Sequence, residues 1–367
     1  MKILFVDNAG LVGGAEEHLM DLSAWLTGNG VETVFVAREE GFFREALTRR
    51  GFAHHPSSRE WPRKALSLLQ LARAIIREKP DVLSVNREHD LLPAYVALGM
   101  ARPFLPRLPR TVAVFHTPTG RRHDVLARYD GIVCTSRFTA DAFIRANRSI
   151  RNRVAVIRYG IRIPDVDPEP KLRRDRSRKF FSDRGFPIIG MVGELWKNQE
   201  ELVEVARPIV REFPGLTVAV VGGGYPSQFE SLREKIRLAG LERNFVLTGR
   251  QGRERIPDIF HDFDLSVSTH RNEGFGIVHI ESLACLTPVV AYNTGGYVEM
   301  LREGGGILVD GGAGELASAV VGLLGDDGRR EALAREGRRI VEEKFSVSRM
   351  GEDHLGYYRA IAGGGKG

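Results

Sequence analysis

Short, continuous apolar runs alternate with longer amphipathic stretches along this chain, and the alternation occurs twice. In the first series the runs are KILFV (2–6), VETVFVA (31–37), DVLSV (81–85), TVAVFH (111–116), DGIVCTS (130–136) and RVAVIRYG (153–160). Runs of this length, rich in β-branched residues, read as strands buried on both faces, the habit of parallel sheets. Helices are expected between them, over 14–29, 42–50, 62–78, 89–99 and after Arg137. Leu19, Leu22 and Leu26 give the first of these an apolar face. Strand–helix alternation of this kind requires a parallel sheet covered by helices on both sides.

The segment RIPDVDPEPKLRRDRSRKFFSDR (162–184) breaks the rhythm with three prolines and many charges, which places a domain boundary there. A second series follows. Strands are expected at PIIGMVGE (187–194), LTVAVVGGG (216–224), FVLTG (245–249), LSVS (265–268) and PVVAY (288–292), with helices over 198–212, 226–239, 275–285, 313–324 and 328–343. The expected class is α/β, with two Rossmann-like domains facing across a cleft. They span 1–165 and 186–345, joined by a linker at 166–185 and followed by a terminal segment at 346–367. Ligands of such sheets sit beyond the carboxyl ends of the strands, so functional residues are sought where strands stop.

Composition narrows the class further. Hydrophobic residues make up 43% of the 367, enough for two sizeable cores. Two cysteines, Cys134 and Cys285, make neither a disulfide framework nor a zinc site. The amino terminus lacks the long apolar core of a signal peptide, and no stretch reaches the length of a membrane span, so the cytoplasm is expected. Charge is uneven: residues 100–162 carry 13 basic and 3 acidic side chains. One reading is a surface that attracts an anionic acceptor or the inner, anionic face of a membrane; the other is a solvated arginine-rich surface. Nucleic acid is not expected, because no aromatic-basic interleaving or zinc-finger spacing accompanies the charge.

Several strand ends carry residues suited to a phosphorylated ligand. Gly13-Gly14-Ala15-Glu16 follows the first strand and opens a helix, where bare backbone can approach a phosphate; a tight turn is the alternative. The pattern is not the dinucleotide fingerprint. Gly222-Gly223-Gly224 repeats the arrangement in the second series. Lys197 stands beside a helix start, a mildly unfavourable place for a cation unless an anion binds there. In Asn272-Glu273-Gly274-Phe275-Gly276-Ile277-Val278-His279-Ile280-Glu281, two carboxylates are eight positions apart around a Gly-x-Gly turn. The N–H groups of 274–276 can address sugar hydroxyls, and a carboxylate is a natural acceptor for a vicinal diol. Glu281 is expected two helical turns in. His116 ends its strand and is read either as a ligand contact or as a satisfied core histidine. Neither the remaining histidines nor any Asp-x-Asp pair forms a metal set, so no metal is expected.

These residues resemble the retaining glycosyltransferases of family 4, the glycosyl transferases group 1, which have the GT-B fold. The resemblance covers nearly the whole chain. Gly13–Glu16 is similar to the family's glycine motif, Val156–Ile161 (VIRYGI) to its VIPNGI segment, and Val192–Lys197 to a shortened GRL…KG loop. Val220–Gly224 is similar to its VGxG turn, and residues 273–301 resemble its E-x7-E region and trailing glycine turn, the most specific match. Residues 345–358 resemble a terminal helix that crosses back to the first domain, with a disordered tail after it.

The resemblance implies a metal-independent transfer of a hexosyl or N-acetylhexosaminyl unit from a nucleoside-diphosphate sugar, with a uridine diphosphate sugar favoured and no cofactor required. The implied acceptor is a glycan, a lipid-linked glycan or a small molecule. Gly13 and Gly14 would approach the diphosphate or the sugar, and His116 would contact the sugar. Lys197 would bind the diphosphate, with Gly223, Thr294 and Gly295 in turns near it. Glu273 and the amides of Gly274, Phe275 and Gly276 would hold the sugar, and Glu281 the ribose. Two departures stand out. Glu194 occupies a place where the family usually has arginine, with Arg250 as a substitute cation, and Leu286 replaces a common glycine, read as a packing adjustment. Glu194 motivates one alternative, a catalytically silent nucleotide-sugar-binding protein. A GT-B-fold epimerase is another.

Overall fold

The computed structural model describes residues 1–58, 64–172 and 179–364. The first residues of the helix expected at 62–78, the middle of the segment at 162–184 and the end of the tail expected to be disordered lie outside these. The chain divides into two compact units, one of Met1–Ile161 with Ser346–Gly367 and one of Arg162–Phe345.

In the first unit seven parallel strands form one sheet in the order β3-β2-β1-β4-β5-β6-β7. They are β1 (Lys2–Asp7), β2 (Glu32–Arg38), β3 (His54–Ser57), β4 (Val82–Val85), β5 (Arg110–Phe115), β6 (Gly131–Cys134) and β7 (Val154–Val156). Val6 pairs with Val36 on one side and Val85 on the other, which centres the sheet on β1. β1 and β4 are neighbours in space but not in sequence, so the chain reverses direction across the sheet between them, and the crevice at such a switch point is where ligands bind. Strand β3 was not legible: HHPS is polar and contains Pro56, which an edge strand tolerates. The terminal helix Val347–Ala362 packs on helix Gly14–Gly28, so closely that a Cβ on Gly351 would lie 2.2 Å from the Trp25 ring.

The second unit has six parallel strands in the order β10-β9-β8-β11-β12-β13. They are β8 (Ile188–Val192), β9 (Thr217–Val221), β10 (Phe245–Gly249), β11 (Leu265–Ser268), β12 (Val289–Tyr292) and β13 (Gly306–Val309). Its switch point lies between β8 and β11. Strand β13 and helix Ile256–Asp262 were not expected from the sequence. The former hides behind the glycine run 304–306, and the latter is only seven residues long. The segment from 162 belongs to this unit. Lys171 is buried there, its ammonium donating to the carbonyls of His261 at 2.8 Å and Phe263 at 2.6 Å.

Helix Ile277–Ala284 begins two residues later than expected, because Gly276 precedes it with φ +90°. Glu281 is therefore the fifth helical residue, little more than one turn in rather than two. Leu286, read as a packing adjustment, is buried with φ +57°, a left-handed conformation that glycine adopts without steric cost. The position calls for glycine on backbone grounds, beyond any packing.

Candidate functional site

The switch point of the second unit joins the loop after β8 to the loop after β11. Lys197 comes from the first and Glu273 from the second, and Lys197 Nζ donates to Glu273 Oε2 at 2.6 Å. Burial alone would raise the Glu273 carboxyl. The Lys197 ammonium, with smaller contributions from His279 and His270, reverses that and holds it below the usual range. His279 is buried against the edge of the Tyr297 ring at 4.6 Å, and burial pushes its pKa down to about 4, so the imidazole is neutral at physiological pH. Its Nδ1 makes no hydrogen bond among the described residues. Lys197, His270, Glu273 and His279 line one pocket with Ser266 and Ser268 of β11.

Close backbone approach brings the glycine turns to the same place. A Cβ on Gly222 would lie 1.6 Å from the Gly193 carbonyl oxygen, and the Leu195 N–H donates to the Gly223 carbonyl at 2.8 Å. The loops after β8 and β9 are thus fused. On the other side, the Gly296 N–H donates to the Glu273 carbonyl at 2.7 Å, and a Cβ on Gly296 would lie 2.0 Å from the Gly274 oxygen. Thr294 Oγ1 donates to the Arg271 carbonyl at 3.1 Å, which ties the turn of Thr294 and Gly295 to the loop after β11. Lys197, Glu273, Gly274, Phe275, Gly276, Thr294 and Gly295 therefore share one set of contacting loops.

The loop after β10 supplies two arginines. Arg250 meets Glu194 at 2.5 Å, and Arg253 meets Glu281 at 2.8 Å. Glu194, which stands where the family usually has arginine, is paired with Arg250, the cation named as the substitute. Gly223 lies under this pair.

In the first unit, Gly13 precedes helix Gly14–Gly28, and its N–H donates to Glu16 Oε2 at 2.7 Å. Arg87, just past β4, bonds the buried carboxylates of both Glu16 and Asp7, the latter at 3.0 Å. Burial, helped by Glu16 and opposed by Arg87, raises the Asp7 pKa to about 7. His116 follows β5. Its Nδ1 is hydrogen-bonded to the Tyr159 hydroxyl, and its Nε2 is shielded without a hydrogen-bond partner among the described residues. Burial, then the nearby Arg87 charge, lower its pKa to about 4. Ala15, His18, His116, Tyr159 and His354 line one largely apolar cavity, so the helix opened by Gly14 and the end of β5 meet there. Sequence reasoning missed Tyr159, Arg87 and Arg253, whose roles come from partners far away in the chain. Among the described residues, no group of three or more His, Cys, Asp or Glu could hold a metal ion.

Comparison with known proteins agrees with this architecture. Residues 173–340 match the family model described as glycosyl transferases group 1, and residues 12–163 match glycosyltransferase family 4. A D-inositol 3-phosphate glycosyltransferase of Rhodococcus jostii is 30% identical over 244 residues, which is 64% of this chain and 53% of the relative. An α-D-kanosaminyltransferase of Streptomyces kanamyceticus is 30% identical over 201 residues, 54% of this chain and 51% of the relative. The match thus spans about half the length of these curated relatives. Among solved structures, Anabaena HepE in complex with UDP and glucose superposes with a TM-score of 0.80 at 21% identity, covering 97% of this chain and 99% of that one. At that identity the likeness carries the fold alone.

Proposed function

The chain belongs to glycosyltransferase family 4, the glycosyl transferases group 1 of GT-B fold, and on that premise we propose that it moves a glycosyl unit from a nucleoside-diphosphate sugar to an acceptor hydroxyl. The observation that carries this reading is the Lys197–Glu273 pair at the switch point of the second sheet, between glycine turns whose backbones are bare. An ammonium at that crevice suits a diphosphate, and a carboxylate kept ionised beside it suits sugar hydroxyls.

In this reading Lys197 binds the diphosphate, with the turns of Gly223 and of Thr294 and Gly295 beside it. Glu273 and the amides of Gly274, Phe275 and Gly276 hold the transferred sugar, and Glu281 accepts from the ribose once Arg253 yields. From the first unit, His116 donates or accepts at a sugar hydroxyl as a neutral imidazole, and Gly13 and Gly14 leave room for the diphosphate or sugar. Negative charge develops on the departing diphosphate, and a fixed cation stabilises it there without reorganisation. The sugar keeps its configuration by front-face substitution: the acceptor oxygen bonds the anomeric carbon as the carbon–phosphate oxygen bond breaks, and the acceptor proton passes to the departing phosphate. No side chain acts as nucleophile, and a metal ion is not needed to carry the charge that Lys197 meets.

A uridine diphosphate sugar is the first choice of donor, a choice supported by the UDP in the HepE complexes. Among acceptors, a phosphorylated polyol is favoured by the inositol phosphate in the names of several relatives and by the basic first unit, with lipid-linked glycans as the second class. The reading places the enzyme in the cytoplasm. The test is transfer from UDP-, GDP- and ADP-sugars to phosphorylated polyols and lipid-linked glycans with chelator present, followed by product mass and anomeric coupling. Nucleotide release with an α-linked product supports the reading; turnover that requires added metal, or an inverted product, sinks that part of it. Glu194, in the place of the family's usual arginine, motivates one second reading, a silent nucleotide-sugar binder, whose signature is tight binding without turnover on any acceptor.

A further inference from the structure

Helix Leu91–Ala101 (LLPAYVALGMA) contains no charged residue. Its inner side, Leu91, Ala94, Ala97, Leu98 and Ala101, is buried in the core of the first unit. Its outer side is also apolar. A surface helix that is apolar all round leaves its outward face unpartnered. Leu92 is 60% exposed and Phe104, just after the helix, 66%. Tyr95, Val96, Met100 and Leu108 continue the exposed set. Helix Lys64–Glu78 packs beside it and shares its core, and exposes Leu66 and Leu69 in turn. An apolar surface of this extent marks a contact site on an otherwise soluble fold.

The segment that contains it carries charge of one sign. From Leu91 to His123, 33 residues contain five arginines and no Asp or Glu. In RPFLPRLPR (102–110) arginines alternate with apolar residues. Arg102 makes no ion pair among the described residues, and Arg73 stands exposed on the neighbouring helix. Arg107 and Arg110 are exposed, though each also meets an acid, Asp81 and Asp130 respectively. A protein partner would match this surface with carboxylates at particular points. A lipid bilayer with anionic headgroups matches it everywhere: apolar side chains enter the acyl boundary while arginines stay at the phosphates.

We propose that the outer face of helix Leu91–Ala101 and the segment 102–110 dock this protein on an anionic membrane surface. The chain lies on the bilayer and does not cross it; among the described residues no helix is long and apolar enough to span one. The docking does not depend on the transferase reading, and a failure of either leaves the other standing.

The test is co-sedimentation of the full chain with vesicles of phosphatidylcholine containing about one-third phosphatidylglycerol, and with phosphatidylcholine alone. Binding is expected on the anionic vesicles, weaker by about tenfold or more on the neutral ones, and falling with salt. Arg102→Glu should weaken it by well over about fivefold, the scale of one charge near such a surface. Leu92→Ser combined with Phe104→Ser should abolish it. Both sites are exposed, and unchanged donor binding and circular dichroism confirm that these variants fold. Absence of binding, equal binding to neutral vesicles, or binding untouched by these substitutions overturns the proposal. A concentration-dependent dimer that the double substitution disperses, without vesicle binding, assigns the face to a second copy of the chain instead.

Discussion

The Glu194 carboxylate and the Arg250 guanidinium meet at 2.5 Å above Gly223. An acid on the loop before Lys197 would otherwise repel a diphosphate; under the proposed reading, an incoming phosphate displaces it from the arginine. Arg250→Ala should therefore weaken diphosphate binding by about 1.5–3 kcal/mol, the scale of a charged hydrogen bond, while Glu194→Ala should strengthen it. Calorimetry with the nucleoside diphosphate decides. Unchanged affinity in Arg250→Ala would remove the arginine from the site.

Lys197→Ala should cost a similar amount, about 1.5–3 kcal/mol, for the diphosphate and nothing for the free nucleoside. It also strands the largely buried Glu273, so the melting temperature should fall and be partly restored in the double variant with Glu273→Ala. Equal loss of affinity for the nucleoside would contradict the phosphate role.

Glu281→Ala should weaken binding of the nucleoside itself with the fold intact, whereas Arg253→Ala, which removes one partner of that carboxylate, should leave that affinity equal or tighter. A nucleoside affinity indifferent to Glu281 would sink the ribose assignment.

These expectations separate what the sequence made legible from what it did not. The two sheets were legible because buried parallel strands are short apolar runs, and Glu273, Lys197 and the glycine turns because they stand where such runs end. Strand β3 was not, since HHPS lacks an apolar run, and neither was β13 behind its glycines. The partners were invisible for a different reason. Arg253 reaches Glu281 and Tyr159 reaches His116 across 28 and 43 positions, and no local pattern records such a pairing; Arg250, 56 positions from Glu194, was named only through the family resemblance. The exposed face of helix Leu91–Ala101 was hidden too: its composition reads as core, and only its placement shows a second apolar side.

Tyr159 stands where the family segment has asparagine, and its hydroxyl fixes the Nδ1 side of His116. Removing that hydroxyl in Tyr159→Phe should lower kcat with little change in the donor KM, and Tyr159→Asn should recover part of it. Full activity in Tyr159→Phe would assign the tyrosine to packing alone.

His116, His279 and His354 are each pushed down to about 4, in every case mainly by burial. Their folded pKa values lie below the unfolded value near 6.5, so the unfolded chain binds more protons as pH falls through 6.5 towards 4. Stability is complete above that window and lost within it, by about 2 kcal/mol per histidine at pH 5. Asp7, raised to about 7, acts in the opposite sense and offsets part of the loss. Urea midpoints at pH 7 and pH 5 should show a clear net fall; a midpoint that rises on acidification would contradict the buried neutral histidines.

Calorimetric titration of the full chain with UDP, GDP and ADP, in the presence of a chelator, tests the central claim most directly. The account predicts saturable binding of one diphosphate, UDP first, that Lys197→Ala weakens and the matching sugar conjugate tightens. No binding of any of the three by the folded protein would contradict a donor site at Lys197 and Glu273.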